Sequence, residues 1–212
     1  MKLRTVPIFL AALCGFAVTN ASATVLTSYN SRAAWEAAVG GSFVEQDFNS
    51  FTSGVSYEFA PVDVGDFSVS VSGSTFGFIW HNIGPVSHLN DVNGSPQINA
   101  SAGPIGGTSL SFDYPIHAFG ADWQGISDFR TTSFNVNGTL LAIPNLNGGF
   151  FGFTSDTAFS SALLFLSSGE PDGFGIDNAV YTPESAAVPE PTTLALLGAG
   201  LVALRARRRR TC

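Results

Sequence analysis

Positive charge is nearly missing from the body of this chain. Between Thr24 and Val188 only Arg32 and Arg130 are cationic, against fifteen of the sixteen acids, a formal balance of −13 where the full 212 residues carry −7. Binding phosphates needs clustered Lys and Arg, so nucleic acid is excluded as a partner of that stretch. Cysteine is scarce as well. Cys14 and Cys212 lie in end segments that read as leader and tail. The stretch between them has no thiol, which excludes a disulfide framework, a zinc–thiolate site and a cysteine nucleophile there. Also missing are a Gly-x-Ser-x-Gly elbow, a His-Glu-x-x-His pair and a Walker loop.

The two ends are what the sequence states most clearly. Met1-Lys2-Leu3-Arg4 is followed by a mostly apolar run from Val6 to Val18 and then by Ala21-Ser22-Ala23. A positive start, an apolar run and small residues before the cut form an export signal, so residues 1–23 are expected to leave as a signal peptide, with signal peptidase cutting between Ala23 and Thr24. The polar residues from Thr19 onward oppose a permanent anchor. At the other end, Val188-Pro189-Glu190-Pro191 precedes an uncharged stretch from Thr192 to Leu204, then Arg205 and Arg207 to Arg210. Those 13 uncharged residues rise only about 20 Å as a helix, short of the roughly 20 residues that ordinarily span a bilayer. The arginine stop, the isolating Pro-Glu-Pro and the terminal position nevertheless favour a transmembrane helix, spanning with local thinning of the membrane.

These last 25 or so residues, from Val188 through Leu196-Leu197-Gly198-Ala199-Gly200-Leu201 to the arginines, resemble the PEP-CTERM sorting domain. The resemblance implies a precursor held transiently in the inner membrane of an exopolysaccharide-making Gram-negative bacterium. An exosortase would process it at Pro-Glu-Pro and release it to the outer envelope or extracellular matrix.

Between the ends, the pattern predicts an all-β sandwich or jelly roll over residues 24–182, with one short N-terminal helix and a linker over 183–187. Asn30 or Ser31 can cap a helix from Arg32 to Val39, Gly40-Gly41 can end it, and Trp35 would dock it. Phe67, Val69 and Val71 alternate with serines, and Leu110, Phe112 and Tyr114 alternate likewise, the period of a half-buried strand. Asn137-Gly138 between Phe134–Val136 and Leu140-Leu141 marks a type I′ hairpin. Further strands are expected near Phe43–Phe48, Thr75–Trp80, Ile116–Trp123, Phe150–Phe153, Ala162–Leu166 and Phe174–Tyr181. Nineteen Phe supply apolar area for two facing sheets. The stretches 152–161 and 173–178 resemble the central region of uncharacterised PEP-CTERM proteins, a likeness that implies a sandwich and no activity.

Three sets of residues are candidate sites. Glu45 and Asp47 on the first sandwich strand and Asp177 on the last could hold a structural calcium, since calcium takes carboxylate and carbonyl oxygens. This placement resembles the calcium sites of jelly-roll carbohydrate-binding modules; solvent-facing acids are the alternative. Trp80, Tyr114 and Trp123 could stack on sugar rings, or fill the core. Asp91-Val92-Asn93-Gly94 reads as a turn, and His81, His88 and His117 as surface or loop residues. The leading expectation is a non-catalytic binding or structural module of the exopolysaccharide matrix. The alternative is a secreted polysaccharide hydrolase using a carboxylate pair, which needs two acids across a cleft.

Overall fold

The structure, a computed structural model, describes residues 23–73, 81–85, 90–127, 131–166 and 171–183. The signal segment through Ser22, the candidate strand Thr75–Trp80, His88 and the whole sorting segment with its membrane helix lie outside the described residues. Among the described residues no helix is long and apolar enough to cross a membrane.

The chain enters as strand β1 (Leu26–Tyr29) and turns into helix α1 (Arg32–Val39). The helix has the bounds its sequence predicts. The Ser31 hydroxyl accepts from the Ala34 amide at 3.3 Å, and Gly40 closes it in the left-handed region at φ 64°. Trp35 fixes the helix to the domain. Its ring is fully buried against Phe43 and Phe150, and its Nε1–H donates to the Phe153 carbonyl at 3.2 Å.

Everything else is antiparallel sheet built around two strands of 21 residues, β8 (Gly106–Ile126) and β11 (Leu146–Leu166). They pair with each other along nearly their whole length and take part in two layers. In the first layer, the start of β8 pairs with β5 (Phe67–Gly73), which carries β4 (Val62–Asp63). The end of β11 pairs there with β9 (Thr132–Val136), which carries β10 (Thr139–Ala142). In the second layer, the end of β8 pairs with β12 (Asp172–Pro183) and the start of β11 with β1. β12 also holds β2 (Val44–Gln46) and β7 (Gln97–Gly103), and β6 (Asn82–Gly84) and β3 (Val55–Ser56) follow outward from β7. Register shifts between Thr154 and Ser161 mark where β11 bends from one layer to the other.

Aromatic rings fill the space between the layers. Phe134 of β9 meets Phe153 at 5.0 Å and Trp123 at 5.7 Å, and Phe67 of β5 meets Tyr181 of β12 at 5.7 Å. Each fully buried ring of this size contributes about 1.5–3 kcal/mol, which lets a domain without thiols hold together.

The β9–β10 turn carries Asn137 at φ 51° and Gly138 at φ 81°, the two positive angles of a type I′ hairpin. Two pairs of expected strands turn out to be fused. Leu110–Tyr114 and Ile116–Trp123 are both in β8, through an exposed Pro115, and Phe150–Phe153 and Ala162–Leu166 are both in β11. β7 is not among the expected strands, although it alternates, with Ile98, Ala100 and Ala102 on one side and Gln97, Asn99 and Ser101 on the other, and all seven of its residues are buried.

Candidate functional site

The two aromatic candidates among the described residues, Tyr114 and Trp123, do not form a platform. Trp123 is 0% exposed, and its Nε1–H donates to the Phe151 carbonyl at 3.0 Å. It is a core residue and presents no face to a sugar, which corrects that expectation: strand alternation turned it inward. Tyr114 is half-buried, and its hydroxyl donates to Asp66 at 2.5 Å. Burial, helped by the Asp66 carboxylate, pushes its pKa up to about 12. Trp80 lies outside the described residues. An exposed ring does exist elsewhere: Phe59, 92% accessible, sits in the loop between β3 and β4.

The acid candidates are dispersed as well. Glu45 receives Arg32 Nη1 at 2.7 Å, while Arg32 Nε reaches Glu36 at 2.9 Å. The arginine hydrogen bond holds the Glu45 carboxyl below its ordinary value. Asp47 accepts from the Asn49 amide and side chain at 3.1 and 2.9 Å, closing a turn. Asp177 is 0% exposed and stands with a different set of residues. Ser95 Oγ donates to it at 2.6 Å and the Asn178 amide at 2.7 Å. Asp122 is its register partner on β8 and accepts from Asn178 Nδ2 at 2.9 Å. Burial, with the Asp122 charge beside it, raises the Asp177 carboxyl above the ordinary range. The loop over 91–95 is the expected turn: Asp91 accepts from the Gly94 amide and Asn93 from the Ser95 amide. Among the described residues, no three of His, Cys, Asp or Glu gather closely enough to hold a metal ion.

His81 also departs from expectation, being 4% exposed rather than at the surface. It follows from the tight pairing around β6, where the Tyr57 amide donates to its carbonyl and the Tyr57 ring packs on the imidazole at 5.6 Å. Its Nε2 lies 2.5 Å from Ser101 Oγ. A hydroxyl against an imidazole is the pairing that a serine nucleophile requires. Here Ser101 is 2% exposed, and among the described residues His81 Nδ1 has no hydrogen-bond partner that would orient the ring. The pair is a buried structural contact.

A groove of about 490 Å³ opens where the end of α1 meets the edges of three strands. Val39 and Ser42 line one side, and His117 of β8, Thr154 and Ser155 of β11, and Thr182 and Pro183 of β12 line the rest. His117 Nδ1 is 3.2 Å from the Ser155 carbonyl. No sequence signal marks this groove, because its residues come from four distant segments.

Residues 187–210 match the PEP-CTERM protein-sorting motif. The chain is therefore an exported protein whose precursor is membrane-anchored and sorted by an exosortase, as the tail predicted. A solved structure of a mutant family 29 carbohydrate-binding module, made to probe ligand recognition by that family, aligns over 66% of this chain and 90% of its own. The identity is 13% and the TM-score 0.39. No curated protein matches the chain. The PEP-CTERM motif begins at residue 187, and β12 ends at Pro183, so three residues separate the folded domain from the motif.

Proposed function

We propose that this PEP-CTERM protein is a non-catalytic binding module of the outer envelope or extracellular matrix, released there by exosortase to engage exopolysaccharide. The observation that carries the reading is the sorting motif set directly behind an all-β sandwich. The chemistry of the sandwich agrees with it. A polysaccharide hydrolase needs two carboxyls roughly 5–10 Å apart with a sugar between them. One adjacent pair, Asp122 and Asp177, has one member fully buried and both engaged with Asn178.

Export begins with signal peptidase at Ala23–Thr24. The domain takes hold of the chain at once beyond that cut: Thr139 Oγ1 donates to the Thr24 carbonyl at 3.3 Å, and the Val25 amide donates to Asp156 at 2.9 Å. Calcium enters this reading only through Asp177 and Asp122. A melting temperature raised by calcium in the natural chain but not in Asp177→Asn would place an ion there, and an unchanged one with and without chelator would remove it.

Delivery is tested by fractionating the producing bacterium. Replacing Pro189, Glu190 and Pro191 together by alanine should leave the chain in the inner membrane at its precursor mass. Release at the natural mass would overturn the reading.

A further inference from the structure

We propose that the groove between the end of α1 and the edges of β8, β11 and β12 binds a neutral polyhydroxylated ligand, a short run of uncharged glycan. This deepens the matrix-binding reading and rests on it. The volume, about 490 Å³, falls within the range of small-molecule sites. Its chemistry narrows the ligand. Among the described residues no carboxylate, lysine or arginine lines it, and the polar side chains there belong to Ser42, Thr154, Ser155, Thr182 and His117.

The imidazole is set for one role. The Ser155 carbonyl can only accept, so Nδ1 is the donor in that contact, and in the neutral form of the ring Nε2 is then an acceptor. A sugar hydroxyl can donate to Nε2 while neighbouring hydroxyls exchange bonds with Thr182 and with Thr154, whose Oγ1 also lies 3.5 Å from the Tyr29 hydroxyl. Ser155 Oγ already donates to the Thr157 carbonyl at 2.5 Å and accepts from the Thr157 amide at 3.3 Å, which leaves it one lone pair. Val39 and Pro183 supply the apolar surface that a sugar's C–H face needs. An anionic polymer is disfavoured by the surrounding charge, −13 from Thr24 to Val188.

Native gels cast with neutral hydroxyethyl cellulose, with anionic alginate, or with the producing bacterium's own exopolysaccharide test this on the full chain in detergent. The natural chain should be retarded in the neutral gel and not by alginate. His117→Ala and Thr182→Val should each weaken retardation at least tenfold at unchanged melting temperature, while Leu140→Ser on exposed β10 should not. Retardation that survives both groove substitutions moves the ligand elsewhere and overturns the groove while leaving the binding module standing. No retardation in any gel overturns both. Delivery, read by fractionation, is independent of either result.

Discussion

At the scale of single residues, burial decides what a side chain can do. Trp123 has a ring fit for stacking and an indole N–H fit for a ligand, and the core uses both. Trp123→Ala should therefore cost about 3–5 kcal/mol in urea unfolding, the usual penalty for emptying a large aromatic site. His81 gives the fold a pH dependence. Burial lowers its pKa, opposed in part by the Glu58 charge, so the folded state resists the proton that the unfolded chain accepts. Stability should be complete above the unfolded value of about 6.5 and fall as the pH drops below it. Melting curves from pH 7.5 to 5 should show this decline, and His81→Gln should flatten it. An equal acid slope in both proteins would assign the decline to other groups.

Elements are held by close backbone approach as much as by side chains. Gly107 is where β8 passes β11, and a Cβ there would stand 1.8 Å from the Leu164 carbonyl oxygen. Neither backbone can retreat without breaking the ladder, so Gly107→Ala should cost about 3 kcal/mol. Gly40 makes the opposite case. A Cβ there would meet nothing within 4 Å, and only its φ of 64° opposes a side chain. Gly40→Ala should cost about 1 kcal/mol. Denaturant midpoints of the two variants separate steric clash from backbone strain.

For the whole molecule, the decisive feature is how little chain joins the domain to its sorting motif. The chain from Pro183 to Pro189, with five residues between them, reaches at most about 22 Å. If the exosortase acts at Pro-Glu-Pro, so short a connection would bring the domain close to it. Inserting ten Gly and Ser residues after Ala186 should raise the processed fraction at a fixed time, read by immunoblot. An unchanged fraction would mean that the domain does not limit access.

The sequence alone determined what depends on neighbours along the chain. The sorting tail was legible because charge, proline and apolar length are local. Helix α1 was legible because Ser31 and Gly40 mark its ends, and the β9–β10 hairpin because Asn137-Gly138 allows few other turns. Alternation named most of the strands and gave the all-β class. Tertiary structure alone decided the rest. Whether Trp123 faced inward and whether Asp177 met Glu45 or Asp122 depended on which strands became neighbours. The groove at His117 exists only because four segments far apart in sequence meet there, and pairing between distant strands leaves no mark in the spacing of residues within any one of them.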